Sequence, residues 1–186
     1  MHGLSPPSPW LTRWGHLLPA GARVLDVACG GGRHLHWLTR QGFAATGMDR
    51  DAAALALAPP GARTVCADIE GGPWPLAGEQ FGGVLVFNYL WRPLWPALRA
   101  ALAPGGVLIY ETFADGNQTV GRPARADFLL QPGELIERCA GLRIVAYEHG
   151  FLDAPARFVQ RIVAVQPDAS ADPAAPARHL LAPSSS

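Results

Sequence analysis

The sequence predicts one α/β domain built on a mostly parallel sheet with helices on both faces. Three observations carry that reading. Short, nearly continuous apolar runs alternate with helix-like stretches, as expected of strands buried on both sides. A length of 186 residues suits one domain with a sizeable core. A composition of 49% hydrophobic and 16% charged residues fits a packed interior rather than a disordered chain.

A Pro/Ser-rich lead at 5–9 precedes one or two helical turns at 10–18, which stop before Pro19-Ala20-Gly21. Residues 22–28 form the first strand and run straight into Gly30-Gly31-Gly32. A helix follows at 33–41, with Leu35 and Leu38 three apart on one face and Gly42 as its stop. The alternation repeats with a strand at 43–48, a helix at 51–58 ended by Pro59-Pro60-Gly61, and strands at 63–67 and 84–88. Residues 93–102 are helical, with Pro93 placed in the first turn and Leu94, Leu98, Ala101 and Leu102 on one face. A fifth strand spans 107–111, and a helix at 132–140 ends at Gly141. Strands at 142–147 and 158–165 follow without a helix between them, so one of the pair runs antiparallel. The expected organisation is a lead and short helix at 1–21, the domain at 22–166 and a disordered, Ala/Pro/Ser-rich tail at 167–186.

Composition narrows the partners. The 15 basic residues, all arginine, balance 15 acidic ones, so the chain lacks the positive field on which non-specific nucleic-acid binding rests. Charge therefore favours a small-molecule partner. Cys29, Cys66 and Cys139 lie far apart without metal-ligand spacing, and the histidines show no paired ligand pattern; no metal is expected. No signal-like start or membrane-length apolar run is present, so a cytoplasmic protein is expected.

In an open α/β sheet, ligands bind beyond the carboxyl ends of the strands. Here those ends carry Asp26, Asp49, Asp68, Asn88 and Glu111. The first turn, from Asp26 through Ala28 to Gly32, is small enough for backbone to approach a ligand closely. It does not fit a dinucleotide: the G-x-G-x-x-G pattern fails at Leu35, and Asp26 would face a pyrophosphate. A phosphate-binding P-loop is excluded because the chain has no lysine. A carboxylate in this turn suits a cationic group such as the ammonium or sulfonium of S-adenosylmethionine. Asp49 follows Asp26 by 23 residues, near the spacing expected of an acid that accepts from two ribose hydroxyls. Asp68 stands where a carboxylate can accept from an adenine amine. The competing reading makes Asp49 and Asp68 simple helix N-caps, which would leave Asp26 unexplained.

The ordered segments V-L-D-V-A-C-G-G-G-R, G-M-D-R-D, A-D-I-E, V-L-V-F-N and L-A-P-G-G-V-L-I-Y-E resemble the motifs of class I S-adenosylmethionine-dependent methyltransferases. The resemblance covers roughly residues 22–165. Within that superfamily it is closest to the compact bacterial enzymes of the tellurite-resistance and thiopurine type. It implies a Rossmann-like, seven-stranded sheet with a reversed C-terminal hairpin. It also implies that Asp26, Gly30 and Gly32 hold the methionine end, Asp49 the ribose, and Asp68 with Ile69 the adenine; Ala28, Arg50 and Asn88 complete the candidate cofactor-binding set, Asn88 beneath the methyl donor.

The acceptor side is less legible. Displacement at a sulfonium needs alignment more than a dedicated acid or base, so no catalytic group is required by the chemistry. Asn88-Tyr89-Leu90-Trp91 lacks the prolines of base-amine methyltransferases, and no cysteine follows strand four as pyrimidine methylation at carbon would need. Cys29 reads as a small packed residue. Candidates near an acceptor are Asn88 and Tyr89, Arg122 as an anion clamp in the long 112–131 loop, and His149 as a base. Tyr110, Glu111, Tyr147, Glu148 and Trp91 are further possibilities, and Trp95 is expected in the core. Two other readings stay open: a non-catalytic S-adenosylmethionine-binding regulatory module, and a nucleic-acid methyltransferase relying on a basic partner.

Overall fold

The computed structural model describes residues 5–171, 174–175 and 177–181. Its centre is a seven-stranded sheet in the order β3-β2-β1-β4-β5-β7-β6. The strands are β1 (Arg23–Val27), β2 (Ala44–Asp49), β3 (Arg63–Cys66), β4 (Phe81–Phe87), β5 (Leu102–Phe113), β6 (Arg143–Asp153) and β7 (Ala156–Val165). The first five run parallel, and β7 inserts antiparallel between β5 and β6. The helices are α1 (Pro9–Trp14), α2 (Arg33–Arg40), α3 (Ala52–Leu55), α4 (Trp95–Ala100) and α5 (Glu134–Arg138), joined by short 3-10 turns.

Both faces of the sheet are buried, for a reason visible in strand alternation. Leu25 and Val27 of β1, Val84 and Val86 of β4, and Leu108 and Tyr110 of β5 join one core, under Trp95 and Leu98 of α4 and Leu135 of α5. The intervening Val24, Leu85, Phe87, Val107 and Ile109 join the other, under Trp10 and Trp14 of α1, Leu35 and Leu38 of α2 and Leu55 of α3. Trp95 lies in the core as expected, its ring stacked 5.2 Å from that of Tyr110.

Element boundaries differ from the sequence reading in three places. The helix at 51–58 shrinks to one turn, because Asp51 caps it through Ala53 N–H and Ala54 N–H and the chain turns again before Pro59. Leu102 begins β5 rather than ending α4, pairing with Phe81 across a bulge. The final hairpin extends to the pair Asp153 and Ala156, since its two strands satisfy each other's backbone groups beyond the end of the sheet. In the segment after β7, the described residues contain neither helix nor strand, and the Leu180 carbonyl lies 2.9 Å from His16 Nε2.

The lower edge of the sheet is tied by charge. Glu79 pairs with Arg63 through two bonds of 2.7 and 2.9 Å and also with Arg23, joining the starts of β1 and β3 to the loop before β4. Hydrogen bonds from Arg63 and then Arg23 lower the Glu79 carboxyl from 4.5 to about 2. The carboxylate is favoured by folding, so its contribution is complete above about pH 4.5 and lost as pH falls through about 2. We therefore expect Glu79→Gln to lower the melting temperature at pH 7, with the gap to the parent closing between pH 4.5 and 2 in calorimetric scans. A gap constant down to pH 2 would contradict this assignment.

Candidate active site

The turn after β1 is shaped by left-handed backbone. Ala28, Gly30 and Gly32 have φ of 53°, 52° and 76°, so the chain reverses tightly before α2 begins at Arg33. For Gly30 and Gly32 this conformation is easy; for Ala28 it costs about 1 kcal/mol through its Cβ. Asn88, at the tip of β4, is the other non-glycine residue with positive φ among those described, at 54°. The two strained residues face each other's territory: both line the first and second of three cavities at the carboxyl end of the sheet.

The first cavity, about 310 Å³, lies over the tips of β2 and β3 and takes its walls from Asp49, Arg50, Asp68, Ile69 and Tyr89. Asp49 is engaged on both oxygens. Its Oδ2 accepts from Gly30 N–H at 2.7 Å and its Oδ1 from Asp51 N–H at 3.0 Å, which leaves further lone pairs on the carboxylate. The cap of α3 is thus Asp51, and Asp49 instead fastens the glycine turn to β2. Asp68 is exposed beyond β3 and uses Oδ1 to accept from Glu70 N–H and Gly71 N–H. These bonds hold its carboxyl below the usual range.

The second cavity, about 330 Å³, opens between the glycine turn and the N-terminal segment and contains Asp26, Cys29, Gly30, Gly31 and His34. Asp26 is 1% exposed, and its Oδ2 has no well-formed hydrogen bond. The nearest basic atom is His34 Nδ1, at 3.4 Å. Ser8 N–H donates to His34 Nε2 at 3.3 Å, which places the imidazole proton on Nδ1, facing Asp26. Ser8 Oγ also donates to Glu111 Oε1 at 3.2 Å, and Glu111 is paired with Arg157 and Arg161, each at 3.3 Å. A buried polar chain therefore closes this end of the cleft. Burial and the charges of Asp26 and Asp49 push the Cys29 thiol well up, so it stays neutral and packed.

The third cavity, about 290 Å³, adjoins the first at Glu70, Asn88 and Tyr89 and continues over Leu90, Thr112, Phe113, Pro123 and Phe128. Its outer wall comes from the 112–131 segment, which is fastened rather than loose. Arg92 grips both Glu134 oxygens at 2.8 Å and donates to the carbonyls of Asp127 and Leu129. Burial acts to raise the Glu134 carboxyl, yet Arg92, the Gln131 N–H and Arg138 together bring it below its ordinary value. The buried Asn117 bonds to Pro123 and Phe158 across the same segment.

Asp26, Ala28, Gly30, Asp49, Arg50, Asp68, Ile69, Asn88 and Tyr89 are thus brought together along one cleft, with Gly32 buried in the turn behind them. Arg122 and His149 are not. Arg122 is exposed and lines none of the three cavities. His149 sits on β6, paired with Gln160 of β7, which in turn pairs with Thr112; insertion of β7 carries it two strands outward, to the open edge. Tyr110 and Glu111 point into cores, Tyr110 donating to the Tyr89 carbonyl at 2.7 Å. The sequence reading missed Ser8, His34 and Glu70; a histidine two turns after an acid gives no local signal of pairing.

Comparison with known proteins accords with this geometry. Residues 24–106 match the family described as "Methyltransferase domain". The matched stretch holds strands β1 to β4, whereas Thr112, Phe113, Pro123 and Phe128 lie outside it. No curated protein matches the chain in sequence. Among solved structures, an S-adenosylmethionine-dependent methyltransferase from Mesorhizobium loti superposes with a TM-score of 0.68 at 19% identity, over 88% of this chain and 100% of that one. TehB from Haemophilus influenzae gives 0.63 at 18% identity over 79% of this chain. The chain spans 58% of the length of TehB. The [4+2]-cyclase SpnF gives 0.63 at 19% identity, over 86% of this chain and 78% of that one. At such identities the shared property is the fold.

Ala28→Gly should raise stability by up to about 0.6 kcal/mol, the relief of about 1 kcal/mol of left-handed strain less about 0.4–1 kcal/mol of added unfolded-state entropy. Denaturant midpoints decide this, and a lower midpoint would show that the Ala28 backbone is unstrained.

Proposed function

We propose that the chain binds S-adenosylmethionine along the first and second cavities and transfers its methyl group to a small molecule in the third. The observation that carries this reading is the convergence of Asp26, Asp49 and Asp68 on one cleft, whose two halves share Ala28 and Asn88. The residues suit such a donor chemically. An almost fully buried carboxylate with an unsatisfied oxygen, Asp26, fits an ammonium group, and His34 limits the directions from which a cation can reach it. Small residues at 28–32 admit ligand atoms close to backbone. The lone pairs left on Asp49 fit a vicinal diol, with Arg50 beside them, and Asp68 with Ile69 offers an acceptor next to an apolar surface for a base.

S-adenosylmethionine supplies a methyl group on a positively charged sulfur, an electrophile that needs no activation by the protein. What this chain contributes is alignment and exclusion of water. Asn88, common to all three cavities, marks where donor and acceptor meet. The neutral overall charge and the size of the third cavity support a small acceptor over a nucleic acid.

Asp49→Ala should weaken binding of S-adenosylmethionine by about 2–3 kcal/mol, roughly 30–150-fold. Unchanged affinity in titration calorimetry would remove the ribose assignment. Incubating the protein with S-adenosylmethionine and a panel of small acceptors should yield S-adenosylhomocysteine by mass spectrometry. Tight donor binding with no turnover on any acceptor would replace transfer by binding alone.

A further inference from the structure

We propose that the third cavity takes a small apolar amine, its carbon skeleton against Leu90, Phe113, Pro123 and Phe128 and its nitrogen between Glu70 and Tyr89. This rests on the donor reading above and names the acceptor class for it.

Four observations lead there. The cavity wall is mainly hydrocarbon, so the acceptor body is apolar. No arginine or histidine is among its lining residues, which leaves a carboxylate or thiolate acceptor without a counter-charge. Of the cations nearby, Arg125 pairs with Asp127 at 2.7 Å over the Phe128 ring, and Arg50 lines the first cavity and not this one. The one charged side chain in the lining is Glu70, which with Tyr89 and Asn88 also lines the donor cavity.

The Tyr89 hydroxyl is buried beside Glu70; burial, then the Glu70 charge and a hydrogen bond to that carboxylate, raise its phenol far above the ordinary value. A phenol held protonated has a lone pair for an N–H, and an exposed carboxylate can collect a proton and pass it to water. Methyl transfer to an amine uses both properties. The nitrogen lone pair forms the N–C bond while the C–S electron pair leaves with sulfur, which becomes a neutral thioether. Positive charge thereby moves from sulfur to nitrogen, towards Glu70. Near neutral pH an alkylamine is mostly ammonium, so before attack the bound cation gives one proton to the exposed Glu70 carboxylate, which passes it to water and frees the lone pair. The methylated product keeps its charge opposite Glu70 and leaves as the ammonium.

The test is binding of three probes of one shape to protein saturated with S-adenosylhomocysteine: 2-phenylethylamine, 3-phenylpropionate and 2-phenylethanethiol. The amine should bind at least tenfold more tightly than either analogue. Glu70→Gln should remove most of that preference, and Phe128→Arg, a change at a partly exposed position, should turn it towards the carboxylate. Equal or tighter binding of the carboxylate or thiol, no binding of any probe, or an amine preference untouched by Glu70→Gln would overturn the proposal. Affinity for S-adenosylhomocysteine is measured first on the same samples. Its absence overturns the donor reading, whereas normal donor binding with the wrong probe order overturns the amine alone.

Discussion

The 2.7 Å bond from Gly30 N–H to the Asp49 carboxylate joins the tips of two parallel strands, and the rest of the site depends on it. Parallel neighbours do not share a hairpin, so each strand tip leads into its own loop and drifts unless something outside the ladder ties it. Asp49 does so with one oxygen while its other oxygen holds the start of the next segment through Asp51 N–H. The glycine turn is thereby held above β1 with Asp26 beneath it. A side chain that organises the backbone can also face a ligand, because a carboxylate has more lone pairs than these two bonds use.

Around that tie, the cleft is built from conformations and burials that the fold alone would not favour. Ala28 and Asn88 adopt left-handed backbone, and Asp26 is buried with an oxygen unsatisfied. Each is individually costly; Ala28 and Asn88 sit where the first two cavities meet, and Asp26 lines the second. The cost is met by large apolar cores on both faces of the sheet and by polar chains at its margins, Ser8–Glu111–Arg157 on one side and Arg92–Glu134–Arg138 on the other. The second chain has a further consequence: by holding Asp127 and Leu129 it sets Phe128 as a wall of the third cavity.

Legibility in the sequence followed physical range. Asp26, Asp49 and Asp68 could be read because each follows an apolar run, and in a parallel sheet successive strands end on the same side. Tyr89 and Asn88 were legible for the same reason. Arg122 and His149 were misplaced because their positions depend on packing of the long segment and on insertion of β7, neither of which leaves a periodic signal. The capping alternative illustrates a subtler limit. Asp68 does serve its turn and Asp51 caps α3, yet Asp68 still faces the first cavity, so a local role does not take the side chain out of the cleft.

By itself, the order of apolar runs, glycines and acids determined a mostly parallel α/β sheet with one antiparallel strand in its last pair, and the edge on which a ligand would lie. Those features rest on short-range rules, strand periodicity and the stereochemistry of turns, that act within a dozen residues. Only the tertiary structure decided that Ser8, His34 and Asp26 form one wall, that Glu70 and Tyr89 stand between the first and third cavities, and that His149 lies at the far edge. Such meetings join residues up to a hundred positions apart through packing of whole elements, and no local pattern encodes which side chains that packing will bring into contact.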